Sequence, residues 1–196
     1  MDNFRSEEIT ESLNKENETT SFRRYLIELV QIVLLSVFFF IVIDTFIGRV
    51  RVENISMEPT LQPGEFIMVN KFAYRSGNYQ RGDIIIFHAP PNPKVDYIKR
   101  LIGLPGDEIL IINGKVSVNE TLLEEPYISA PPKYSGSWTV PEKSIFVLGD
   151  NRNSSEDSHE WGFVPYDSIV GRALVIYWPF NEFRILDHPK FMVSTN

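Results

Sequence analysis

Ser56 and Lys99 are two side chains of this 196-residue sequence that together could perform acyl transfer without histidine or metal. A serine hydroxyl is a weak nucleophile until a base takes its proton. Lysine serves as that base only as the free amine. Its pKa of about 10.4 must then fall by roughly three pH units, about 4 kcal/mol of selective destabilisation of the ammonium. Burial among apolar groups has this effect. In an extended strand Tyr97, Lys99 and Leu101 share one face, and Asp96, Ile98, Arg100 and Ile102 the other. Lys99 thus stands between largely apolar neighbours, while Arg100 points away, free to stay solvated or to pair elsewhere. Ser56 follows the extended run Val50–Ile55 and precedes Pro59, where a strand gives way to a turn that can display a nucleophile. Taken singly, each residue has an ordinary reading. A serine near a turn is usually structural, and a lysine in a β-run usually snorkels from an edge.

Composition removes several other chemistries. Cysteine is absent, so disulfides, thiolate zinc sites and cysteine nucleophiles are excluded. His88, His159 and His188 are widely spaced, and neither a metal site nor a cofactor is expected. A net charge of −7 without a basic cluster gives no electrostatic basis for binding nucleic acid.

The elements that must position the pair divide the chain in three. Residues 1–24 are polar and acidic and read as a flexible tail. Residues 25–47 are almost continuously apolar and long enough, as a helix, to cross a bilayer. Glu28 and Asp44 lie one turn from either end, within reach of headgroups. A cleavable signal would be shorter and would end in small residues, unlike Ile47-Gly48-Arg49-Val50-Arg51. A buried core helix would have little to pack against beside an all-β domain. Arg5, Lys15, Arg23 and Arg24 precede the segment, which favours a cytoplasmic N-terminus and an extracytoplasmic C-terminal domain in a single-pass protein of the cell membrane.

Residues 48–196 read as mainly β. Runs at 66–69, 83–87, 96–102, 108–112, 115–118, 144–148 and 169–177 alternate with turn residues, predicting an antiparallel sheet or barrel. Asn113-Gly114 predicts a two-residue hairpin turn, because both residues tolerate positive φ. Residues 119–143 lack a strand pattern and read as an extended excursion with its own short hairpin.

Longer phrases surround the reactive pair. Ser56-Met57-Glu58-Pro59-Thr60-Leu61, Arg81-Gly82-Asp83-Ile84, Tyr97-Ile98-Lys99-Arg100 with Gly103-Leu104-Pro105-Gly106-Asp107, and Gly149-Asp150-Asn151-Arg152 running on to Ser158 occur in that order. This series resembles the bacterial type I signal peptidases over about residues 50 to 178. The resemblance implies a β catalytic domain of the signal-peptidase and repressor-protease type, preceded by one transmembrane helix. It implies Ser56 as nucleophile and Lys99 as general base, acting through an acyl-enzyme. Ser155 would help hold the amine, Asp157 would support the site, and Asp150 and Arg152 would form a structural pair of charges. Val52, Met57, Leu61, Tyr97 and Ile98 would line the pocket for the residue before the cut. Val50, Ile67, Asp96 and Ile98 would line the neighbouring pocket. Substrates would be exported preproteins, cut after small residues in an Ala-x-Ala pattern at the bilayer, and bound as an added strand.

Two positions depart from the family pattern. Asn54 stands where many members carry a small residue or serine that completes the oxyanion hole; its amide could donate the same hydrogen bond. His159 replaces an arginine, which predicts a weaker or pH-dependent ion pair at that point. Two other readings are a self-cleaving repressor-type protease and a membrane-tethered β-module without activity. The first needs an Ala-Gly or Cys-Gly bond ahead of the serine, and the sequence has neither.

Overall fold

The computed structural model describes residues 2–75 and 77–186, with side chains described from residue 23 onward; His188 lies outside the described residues. The chain separates into two compact units between Thr45 and Phe46.

The first unit is a single helix, α1 (Asp2–Phe46). It begins well before the apolar segment, so the polar stretch read as a flexible tail is helical. The physical reason is that no glycine or proline precedes Gly48, and helix propagation depends on breakers more than on polarity. Within it, the 24 residues Arg23–Phe46 contain an 18-residue window with a mean hydropathy of 2.8 and fit one membrane span by length and composition. Their large apolar side chains, Phe38 and Phe40 among them, are exposed rather than packed in a core. Ile47, read as the last residue of the apolar helix, instead opens the first strand.

The second unit is β-rich, as expected. Its strands are β1 (Ile47–Arg51), β2 (Phe66–Asn70), β3 (Ile84–Ala89), β4 (Asn92–Gly103), β5 (Glu108–Ile112), β6 (Lys115–Val118), β7 (Thr121–Leu122), β8 (Gly136–Thr139), β9 (Ser144–Leu148), β10 (Val164–Pro165), β11 (Ile169–Trp178) and β12 (Arg184–Ile185). One short helix, α2 (Ser158–Trp161), interrupts them. The larger sheet runs β1-β2-β11-β3-β4-β9-β10, with β12 on β11, and the smaller runs β7-β6-β5-β8. Every pairing is antiparallel.

Several strands match their sequence pattern closely. Asn113 and Gly114 adopt φ of +52° and +74°, closing the β5–β6 hairpin in register Ile112↔Lys115. In β3 the four residues Ile84–Phe87 are all buried, because this strand lies inside the sheet with both faces covered. Residues 119–143 depart from expectation. They form no hairpin of their own, since β7 pairs with β6 and β8 pairs with β5. The excursion is therefore part of a second sheet that starts at Glu108. That sheet is joined to the larger one by a core in which Ile109, Ile111 and Val116 meet Ile102, Phe146 and Leu148. Apolar burial of this kind can assemble strands of only two to four residues, which have little propensity signal alone.

Candidate active site

Ser56 lies on one turn of 3-10 helix, Ile55–Met57, entered through Asn54 in extended conformation (φ −113°, ψ 160°). The turn is gripped from behind. The Asn151 backbone N–H donates to Ser56 O at 3.0 Å, and Asn151 Nδ2 donates to Ile55 O at 3.2 Å. Gly149 makes this approach possible, because a Cβ there would stand 2.5 Å from Ser56 O and would collide with Ser155 Oγ. The Ser56 N–H falls in the first turn, where backbone donors lack intrahelical acceptors.

Lys99 comes from β4, opposite Ile85 of β3. Its Nζ is 2.7 Å from Ser56 Oγ, although 43 residues separate the two in sequence. The side chain is only 4% exposed. Burial lowers the amine pKa from 10.5 to about 8, against the opposing pull of Asp157, Glu156 and Asp150. An amine so placed is partly unprotonated at neutral pH and in contact with a hydroxyl, which is the geometry of general-base catalysis.

Ser56 and Lys99 open onto a groove of about 770 Å³. Val50, Val52, Asn54 and Met57 line one side, and Asp96, Tyr97 and Ile98 the other. Leu61 and Ile67 do not reach it. Both are fully buried in the core beneath, packed with Val52 and Met57. On β2, Ile67 alternates with half-buried Phe66 and Met68, so its side chain faces inward rather than toward the groove.

Behind the pair, Asp157 is buried. Its Oδ2 accepts the Gly149 N–H at 2.9 Å, and its Oδ1 accepts the His159 N–H at 3.2 Å. His159 Nδ1 lies 2.6 Å from the same oxygen, and its ring stacks on Tyr134 at 3.7 Å. Ser155 is buried too, yet its Oγ has no hydrogen-bond partner among the described residues. The bond to the Lys99 amine implied by the family resemblance is therefore not formed.

Asp150 and Arg152 are both buried but do not pair with each other. Asp150 takes Arg100, whose Nε and Nη2 donate to its carboxylate at 2.7 and 2.6 Å. Arg152 takes Glu125 in a second two-point contact at 2.9 and 2.6 Å. The Tyr127 ring serves both cations, with centroid distances of 4.0 Å to Arg100 and 5.9 Å to Arg152. Arg100 is thus paired rather than solvated, because an unpaired buried guanidinium would be costly. Glu125 and Tyr127 belong to the stretch without strand pattern, and nothing near them in sequence announces their partners. Among the described residues no group of three or more metal-ligating side chains is present.

A hydroxyl held against a buried amine, in a groove of an antiparallel β-domain, is the equipment of a serine hydrolase. Comparison with known proteins makes the class specific. Residues 24–178 match the family described as "Signal peptidase, peptidase S26". A "Signal peptidase I" from Leptolyngbya laminosa is 43% identical over 173 residues, covering 84% of this chain and 85% of that protein. A "Probable signal peptidase I-2" from a Synechocystis strain is 41% identical over 188 residues, 92% and 86% of the two chains. A "Signal peptidase I" from Bacillus caldolyticus is 44% identical over 147 residues, 67% and 80%. This chain belongs to the signal peptidase family, and it is a serine peptidase. Membership favours the peptidase reading over both the self-cleaving repressor and the inactive module.

Proposed function

We propose that this protein removes signal peptides from exported preproteins by acyl transfer through Ser56, with Lys99 as general base. One observation carries the reading: a nearly inaccessible amine 2.7 Å from a serine oxygen that faces a groove. Neutral Lys99 takes the Ser56 proton as Oγ attacks the scissile carbonyl carbon. The resulting oxyanion accepts hydrogen bonds from the Ser56 N–H and the Asn54 amide. Collapse breaks the peptide C–N bond, and the leaving amine receives the proton from Lys99. The acyl group remains on Oγ as an ester. Lys99 then takes a proton from water, the hydroxide attacks the ester, and Ser56 Oγ leaves with the proton returned to it.

Supporting roles follow from position. Asp157 anchors Gly149 against the Ser56 turn. The unpartnered hydroxyl of Ser155 is available to the Lys99 amine as that amine loses its contact with Ser56. Arg100–Asp150 and Glu125–Arg152 stiffen the segment that grips the turn. Val50, Val52, Met57, Asp96, Tyr97 and Ile98 receive the residues ahead of the cut, which are small in an Ala-x-Ala pattern. The Arg23–Phe46 segment of α1 anchors the protein in the cell membrane, with the N-terminus cytoplasmic and the catalytic domain outside.

The test is cleavage of a labelled preprotein by the detergent-solubilised chain. Ser56→Ala and Lys99→Ala are each expected to abolish turnover while leaving the circular dichroism spectrum unchanged. Normal turnover by either variant removes that residue from the mechanism.

A further inference from the structure

Glu156 has no part in the steps above, yet it lines the same groove as Ser56 and Lys99. Its neighbours set its direction. Ser155 and Asp157 are buried on either side, so the chain's alternation leaves Glu156 exposed. The carboxylate then reaches β4, where the Tyr97 hydroxyl donates to Oε2 at 3.1 Å. Tyr97 is two residues from Lys99 on the same face of that strand, and Lys99 Nζ lies 5.2 Å from its ring centroid. Glu156 and Tyr97 thus form a clasp beside the reactive pair.

The clasp joins a carboxylate to a neutral phenol, which supplies no opposite charge, and the Glu156 charge acts on the nearby Lys99 amine. Among the described residues no cation pairs with Glu156. The groove's other charged residues are Arg51, Glu53, Lys94, Asp96 and Lys99. Asp96 is already hydrogen-bonded to His88 Nδ1 at 2.7 Å, and Arg51 leans over the Phe66 ring. A peptide chain crossing the groove to present its carbonyl to Ser56 passes the Glu156 carboxylate, which lines that groove.

We propose that Glu156 selects substrates by charge, disfavouring acidic and favouring basic side chains at positions flanking the scissile bond. The proposal rests on the peptidase reading and deepens it. Tyr97 keeps the carboxylate over the groove instead of letting it swing into solvent, so the field acts at a defined place. An exposed charge pair of this kind is screened, and its effect on kcat/KM is about 2- to 5-fold for each sign of substrate charge.

The experiment uses the full chain in detergent and peptides spanning one cleavage site, with Asp, Asn or Lys placed in turn at each position flanking the cut. The native protein should cleave the Lys peptide faster than the Asp peptide, by about 3- to 10-fold in kcat/KM at one or more positions. Glu156→Gln preserves shape and the Tyr97 bond, and should erase that ratio; Glu156→Lys should invert it. Raising the salt concentration should flatten the native ratio. A native enzyme indifferent to charge, or a Glu156→Gln variant with the native ratio, overturns the proposal. Ser56→Ala run alongside separates the two levels. Cleavage that survives in Ser56→Ala overturns the dyad itself, whereas abolished cleavage with a charge-blind native profile overturns only the role of Glu156.

Discussion

Replacing Lys99 with methionine should abolish cleavage and, at neutral pH, make the β-domain more stable. Lys99 is 4% exposed, and burial holds its pKa at about 8 instead of 10.5. That difference corresponds to about 3 kcal/mol, which the folded state loses whenever the amine is protonated. Below pH 8 the folded and unfolded chains both carry the proton, so the native protein bears the full penalty. Between pH 8 and 10.5 the folded chain releases its proton while the unfolded chain retains it, and stability rises with pH. Above that window the penalty is gone. Methionine has similar length and no charge to desolvate, but forfeits the contact with Ser56 Oγ, worth about 1 kcal/mol. The net gain at pH 7 is then about 2 kcal/mol, or about 4–8 °C in Tm for a domain of this size.

Urea titration of the full chain in detergent, followed by tryptophan fluorescence, measures this directly. Trp138, Trp161 and Trp178 all lie beyond α1, so the signal reports on the β-domain. The gain should shrink through the pH 8–10.5 window and vanish or reverse above it. A variant less stable than native at pH 7, or a gain independent of pH, would show that the amine is not desolvated and would refute the reasoning. In the proposed mechanism the same free base sets the rate. About one amine in ten is neutral at pH 7, so native kcat/KM should climb roughly tenfold before levelling off above pH 8.

Other substitutions test separate parts of the site. Asn54→Ala should lower kcat by about 10²-fold with little change in KM, read by steady-state kinetics; an unchanged kcat leaves the oxyanion to the backbone. Gly149→Ala places a methyl group 2.5 Å from Ser56 O. It should cost about 1–3 kcal/mol in urea titration together with most of the activity, and native values would contradict the close approach. Arg100→Met leaves Asp150 buried without its cation, and a loss of about 3–5 kcal/mol is expected in the same titration. Adding Asp150→Asn should recover part of that loss.

Legibility followed the range of the interactions concerned. The β5–β6 hairpin could be read from Asn113-Gly114 because its backbone demand is met within two residues. The apolar segment ending at Phe46 was legible from composition alone. The start of α1 is not legible in the same way, because the polarity of residues 2–22 resembles that of a disordered tail while no helix breaker stands among them. The strands β7 and β8 were missed because they exist only as partners of β6 and β5. Asp150 and Arg152 stand out in the sequence as a structural pair of charges, yet they do not bond to each other. Their true partners, Arg100 and Glu125, lie 50 and 27 residues away and leave no local trace. The family resemblance implies pocket positions for Leu61 and Ile67, whereas packing puts both side chains in the core.

By itself the sequence determined the candidate nucleophile and base, the phrases that surround them, the apolar segment and the β character of the rest. Those properties reside in residue types and short spacings. Only the tertiary structure brought Lys99 Nζ within 2.7 Å of Ser56 Oγ and buried it. Desolvation depends on what surrounds an amine, and those surroundings come from strands and loops spread over the whole domain.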